Sequence, residues 1–208
     1  MKILEYTLIN LDRQQMIERI KKLLARECNY VLDNEVMDRF LAGGDPVTLR
    51  GGQVLIHAGQ YDPNIYIVTR GVIRHTFMDG ENEHTATFAL PPTMFLEYHC
   101  YYAGRPSFYQ VEACCPSEVL KIPKQHYEKM IRESHEFAKW ALCMADNQFY
   151  YYELKNCVVN GDAKERFEAM IKNRPEIIEN VPLKIIASYL GITPQYLSKL
   201  KNTKKRQT

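Results

Sequence analysis

The sequence predicts an α+β protein in which leading helices precede a jelly-roll β-barrel, followed by a long helix and a small helical domain. Three observations carry that expectation. From Val47 to Ile122, short β-rich runs are punctuated by turn residues. After Pro123 the apolar residues return to helical spacing for about thirty positions. Two brief apolar-periodic segments then flank Gly191. The expected boundaries are residues 1–122 for the leading helices and barrel, 123–160 for the long helix and 161–208 for the helical domain.

Composition allows such a chain. With 208 residues, 46% hydrophobic and 25% charged, it can bury a sizeable core and divide into two units. A charge interrupts the start, Met1-Lys-Ile-Leu-Glu5, before an apolar stretch forms, and the longest apolar run is the six residues Trp140 to Ala145. Neither a signal peptide nor a membrane span is expected, and the expected location is cytoplasmic. The cysteines, Cys28, Cys100, Cys114, Cys115, Cys143 and Cys157, include no Cys-x-x-Cys pair and no partner histidine at zinc-finger spacing. They read as reduced thiols.

The leading forty residues place Leu11, Met16, Ile17, Ile20, Leu23 and Leu24 at helical spacing, which predicts one or two helices covering the barrel. Strands are predicted at Val54–Ile56, Ile65–Val68, Val72–Ile73 and Val119–Ile122. The turns between the barrel's strands fall at Gly51-Gly52, Ala58-Gly59, Asp62-Pro-Asn64, Arg70-Gly71, Asp79-Gly80 and Pro91-Pro92. In the long helix, Trp140, Met144, Tyr151, Leu154 and Val158 form a stripe alongside Phe137 and Ala141, suited to a two-fold seam. Asn160-Gly161 should break that helix. Asp162 with Glu165 has the spacing of a capping box for the next one, where Phe167, Met170 and Ile171 share a face.

Charge is segregated along the chain. Residues 180–208 hold six Lys or Arg and no acid, whereas residues 1–179 hold 21 basic and 25 acidic residues, so a body of formal charge −4 carries a tip of +6. That split points to a localised polyanion site. Within the tip, Leu183, Ile186, Ala187 and Leu190 recur at i, i+3, i+4 and i+7 and give a first helix with one buried stripe. Gly191 supplies the left-handed residue that a tight turn between packed helices needs, Ala187 lets the second helix approach, and Ile192 plugs the core. Thr193 is an N-cap and Pro194 occupies the first helical position.

With Leu197 and Leu200 turned inward, the second helix presents Gln195, Ser198, Lys199 and Asn202 outward, with Tyr196 at the edge. This is the outline of a helix-turn-helix whose second helix reads a DNA groove. Gln and Asn can pair bidentately with adenine, and Lys can donate to guanine or phosphate. Thr193 and the helix N-terminus suit a phosphate, and Lys201, Lys204, Lys205 and Arg206 suit the backbone.

The strings Gly52-Gln-Val-Leu-Ile-His-Ala-Gly59, Tyr66-Ile-Val-Thr-Arg-Gly71, Ser117-Glu-Val-Leu-Lys-Ile-Pro123 and Val181 to Lys199 resemble the Crp/Fnr family of bacterial transcription regulators. The similarity runs from about residue 45 to 202 and is closest to the branch common in Bacteroidetes-type bacteria. It implies a cyclic-nucleotide-binding-like β-roll, a dimerisation helix and a homodimer on an inverted-repeat DNA operator, with RNA polymerase as a further partner. The family's ligand pocket presents Phe-Gly-Glu and then Arg-Ser-Ala. The matching strings here are Phe95-Leu-Glu97 and Arg105-Pro-Ser107, so the resemblance implies a pocket at Glu97, Arg105 and Ser107. Leu96 replaces a glycine whose bare backbone admits the ligand, and Pro106 removes a backbone donor, which argues against a cyclic nucleotide.

The aromatic residues Phe95, Tyr98, Tyr101, Tyr102, Phe108 and Tyr109 are expected to fill that cavity, the alternative being that they line a site for another small ligand. No cofactor or metal is assigned: iron–sulfur members of the family need four placed cysteines, and His75 and His99 stand isolated. Adjacent Cys114 and Cys115 lack a nearby basic residue in sequence and read as structural. The family's wing after the second helix has no counterpart here, and the tail from Lys201 to Thr208 is expected to take over its phosphate contacts. Nucleophile elbow, phosphate loop and paired catalytic carboxylates are all missing, so the expectation is a non-enzymatic regulator. The alternative is a small-molecule-binding module, with a cyclic nucleotide among its candidate ligands, whose helical tip docks protein.

Overall fold

Alternating apolar residues from Asp45 to Ile122 build two four-stranded antiparallel sheets in the computed structural model. It describes the backbone of residues 2–25, 27, 30–159 and 162–205, and their side chains except those of 2–12, 151–152, 154–159 and 203–205. The strands are β1 (Asp45–Leu49), β2 (Val54–Ile56), β3 (Ile65–Arg70), β4 (Ile73–Asp79), β5 (Asn82–Ala89), β6 (Met94–Leu96), β7 (Gln110–Ala113) and β8 (Ser117–Ile122). The first sheet runs β1-β8-β3-β6 and the second β2-β7-β4-β5. Between them pack Ile56, Tyr66, Val68, Ile73, Val111 and Val119. Gly71 makes the turn into β4 at φ +81, and a Cβ there would stand 2.7 Å from the Pro116 carbonyl, so both conformation and space require glycine.

The first sheet is covered on its outer side as well. Helices α1 (Lys2–Leu24) and α2 (Asn34–Ala42) meet Ile65, Ile67, Leu120 and Ile122, which explains why β3 is buried at five successive positions and lacks polar alternation. Ile20 and Leu24 anchor α1, while the side chain of Leu11 lies outside the described residues. The His126 imidazole Nε2, 3.1 Å from the Arg39 and Phe40 carbonyls, satisfies the end of α2.

The helical stretch expected after Pro123 is two helices, α4 (Lys124–Glu133) and α5 (His135–Val159), following the short α3 (Tyr98–Tyr101). The break is at Ser134, whose backbone is extended (φ −132, ψ 111) and whose hydroxyl accepts the Phe137 N–H at 3.2 Å. The first half of the expected seam is occupied within the chain. Phe137, Trp140, Ala141 and Met144 are buried in the chain's own core, with the Phe137 and Trp140 rings 4.8 and 5.6 Å from Phe40. Among the described residues, the exposed apolar and aromatic positions of α5 include Leu142 (63% exposed), Ala145 and Phe149 (64%), about a quarter-turn or more away from the Trp140 stripe, with Tyr150 exposed beside them. The side chains of Tyr151, Leu154 and Val158 lie outside the described residues, as does the expected break at Asn160-Gly161.

Four helices complete the chain: α6 (Ala163–Asn173), α7 (Pro175–Asn180), α8 (Leu183–Leu190) and α9 (Pro194–Lys205). The capping box at the start of α6 is complete, with Asp162 accepting from Lys164 and Glu165 and the Glu165 side chain accepting the Asp162 N–H. These helices do not close a core of their own. Phe167, Met170, Ile177, Ile186, Leu190 and Leu197 form one cluster with Val72, Phe88, Leu90 and Cys114 of the roll. A unit of this size buries too little alone, and it shares the outer face of the second sheet.

Candidate nucleic-acid interface and roll interior

Helix α8 ends because Gly191 adopts φ 64, ψ 35, and the end is closed by two bonds: Gly191 N–H to Ser188 O at 3.2 Å and Ile192 N–H to Ala187 O at 3.0 Å. This is a Schellman closure, and it sets the angle at which the chain enters α9. Thr193 Oγ1 then accepts the Tyr196 N–H at 3.2 Å, the N-cap expected from sequence. Leu197 is fully buried and Leu200 half-buried, which turns the other side of α9 to solvent.

On that side Gln195, Tyr196, Ser198, Lys199 and Asn202 are exposed together, beside exposed Thr193. One helix therefore carries amide, hydroxyl and ammonium donors on a single exposed face, the chemistry that base edges and phosphates can meet. The side chains of Lys204 and Lys205, and Arg206 entirely, lie outside the described residues.

The roll interior brings together only part of the expected pocket. Glu97, 3% exposed, accepts the Ser107 hydroxyl on Oε2 at 2.8 Å, and its Oε1 stands 3.3 Å from His75 Nε2. Ser107 Oγ is also 2.7 Å from the Tyr109 carbonyl. Its single hydrogen serves one acceptor at a time. Arg105 is exposed, and its backbone N–H donates to His99 O at 2.9 Å. Glu97 and Arg105 are thus not a surface ion pair: the carboxylate is buried in the roll, whereas Arg105 is an exposed residue.

Sequence reasoning treated His75 only as an isolated histidine. Its ring meets Phe95 and Tyr109 edge-on at 5.0 and 6.0 Å, and its Nδ1 is buried with no hydrogen-bond partner. The signal was strand alternation, since His75 lies two residues beyond inward-facing Ile73. The aromatic residues divide. Phe95 stacks on Tyr66 at 5.4 Å inside the roll, and Tyr101 is buried, whereas Tyr98, Tyr102 and Phe108 are exposed. His99 is exposed beside Phe108.

Among the cysteines, Cys28 and Cys157 lie outside the described side chains. Burial pushes the Cys114 thiol up to about 12, with Arg74 acting weakly in the opposite sense. A thiol of that kind holds almost no thiolate at neutral pH. In the native protein at pH 8, Cys114 should remain unalkylated by iodoacetamide under conditions that label the denatured chain fully, with peptide mass spectrometry as the readout.

Residues 46–134 match the model of the cyclic nucleotide-binding domain family. None of the curated proteins matches the sequence. Among solved structures, the chain is similar to FixK2 from Bradyrhizobium japonicum, with a TM-score of 0.66 and 17% identity over 79% of this chain and 85% of that one. It is similar to the catabolite activator protein of Thermus thermophilus, with a TM-score of 0.51 and 16% identity over 85% of each. It is also similar to CLP of Xanthomonas campestris, a global regulator responsive to c-di-GMP, with a TM-score of 0.62 and 10% identity over 84% and 93%. The fold resembles that of these regulators: a roll of the cyclic nucleotide-binding kind followed by helices. Among the described residues, no helix is long and apolar enough to cross a membrane.

Proposed function

We propose that the protein is a homodimeric, sequence-specific DNA-binding transcription regulator, cytoplasmic and non-enzymatic, in which the roll responds to a signal and α9 reads the major groove. The observation that carries this reading is the exposed set Gln195, Ser198, Lys199 and Asn202 on α9, backed by buried Leu197 and fixed by the Gly191 turn. Acid-free composition around that set supplies the charge complement to phosphate. Tyr196 and Thr193 flank the reading face, and Lys204 and Lys205 extend it toward the duplex backbone.

The second copy packs on the exposed apolar face of α5 at Leu142, Ala145 and Phe149, whose spacing of three and four residues is that of a coiled-coil seam. Two-fold pairing sets the recognition helices about 34–36 Å apart, so the operator is an inverted repeat with half-sites one duplex turn apart. RNA polymerase is the further partner on a promoter. The signal is not a cyclic nucleotide held in the family's manner, because Glu97 is already engaged by Ser107 and His75, Leu96 stands where the family has glycine, and Pro106 lacks a backbone donor.

Fluorescence anisotropy of a labelled random-sequence duplex at several salt concentrations tests the reading. The expected affinity falls with salt at a log–log slope of roughly −4 or steeper for the dimer. Absence of binding at low salt would overturn it in favour of a protein-docking tip.

A further inference from the structure

Strand β5 is the edge of the second sheet, and an edge strand presents unpaired backbone groups. Helix α8 covers it in a particular way. The Ser188 hydroxyl accepts the Thr85 N–H at 3.0 Å and donates to the Glu83 carbonyl at 3.1 Å, two groups on the same side of the strand. One hydroxyl thus takes the place of a neighbouring strand for two edge groups, using both its donor and its acceptor capacity. We propose that Ser188 is a positioning residue that latches the DNA-reading helices to the edge of β5, so that the angle of α9 is set by the roll and not by α5 alone.

Two further contacts lie along the same strand. The Phe88 and Tyr189 rings are 4.9 Å apart, and Arg174 Nη1 donates to the Phe88 carbonyl at 3.5 Å. With Ser188, they fix three points of β5 against the helices, enough to define an orientation. The strand beneath is itself braced. Buried Arg74 of β4 reaches Glu112 of β7 at 2.6 Å, Glu83 at 2.9 Å and Thr85 Oγ1 at 3.2 Å. Glu83 and Thr85 are therefore held by side chain from the roll and by backbone from Ser188.

The next residue of β4, His75, faces inward to Glu97. A rearrangement inside the roll is then one residue away from Arg74 and two contacts away from the latch. The reading face of α9 stays exposed in this arrangement, so the latch orients the reader without covering it.

This inference rests on the DNA-reading function above, and the test separates the two. The wild-type chain, S188A and S188T are compared by amide hydrogen exchange at Thr85 and by affinity for inverted-repeat duplexes whose half-site spacing varies one base pair at a time. In S188A the Thr85 amide is expected to exchange about ten-fold faster or more. The wild-type penalty for a one-base-pair change in spacing, expected to be about ten-fold or greater, should shrink toward unity in S188A. S188T keeps the hydroxyl and should restore both readouts. Unchanged exchange in S188A, or faster exchange with an unchanged spacing profile, would overturn the positioning role. If wild type binds no duplex while Thr85 exchange still responds to the hydroxyl, the latch stands and the DNA reading falls.

Discussion

Trp140→Ala should destabilise the folded chain by about 3–5 kcal/mol, the range for removing a large aromatic side chain from a packed core. Trp140 is 1% exposed and meets both Phe40 and Phe137, so its removal leaves a cavity that neither sheet nor helix can close. The contrasting substitution is Leu142→Asp, two residues away on the exposed side of α5. It should change unfolding of the isolated chain by no more than about 0.5 kcal/mol, while preventing self-association. Urea denaturation at low protein concentration reads the first quantity, and sedimentation velocity reads the second. The opposite pattern, a dissociated but stable Trp140→Ala protein, would put the seam on the stripe that sequence periodicity suggested.

The double substitution Gln195→Ala with Lys199→Ala should lower affinity for a selected operator by about a thousand-fold or more, since each base contact contributes roughly 1–3 kcal/mol and a dimer loses both in two half-sites. Both residues are exposed on α9, so the helical circular dichroism should be unchanged. Taken singly, Gln195→Ala should relax discrimination between operator and random duplex with little change in salt slope. Lys199→Ala should flatten the slope if the ammonium meets phosphate and leave it unchanged if it meets a base edge. Retained operator affinity in the double variant would move the reading face away from this side of α9.

Much of this architecture was legible because the decisive signals were local. Gly191, Thr193 and Pro194 determine a turn by their own backbone preferences, and the Asp162–Glu165 box closes over four residues. The strands at Ile65 and Ser117 announced themselves by apolar runs, whereas β5, with its sequence Asn-Glu-His-Thr-Ala-Thr-Phe-Ala, is polar enough to be missed and is stabilised by its neighbours. Ser134 concealed a helix break, because a serine between charged residues is equally at home on an exposed helix face.

The interior contacts were not legible for a different reason. Periodicity shows that Trp140, Ala141 and Met144 share a side of α5, but not whether a second copy or α2 covers that side. The exposure of Arg105 beside a buried Glu97 likewise depends on how the segment after α3 folds back. Its Ser107 pairs through the backbone with Gln60 and Gly59, and no local rule reports that contact across about fifty residues.

The cover that α8 gives to β5 also bears on solubility. An open strand edge beside apolar Phe88 and Leu90 is a template for pairing with another chain. The helices that present the proposed reading face therefore also serve as a cap against sheet-to-sheet aggregation. A change that frees them for wider movement exposes the roll to self-assembly, and selection for a looser reader would be opposed by the need to keep that edge covered.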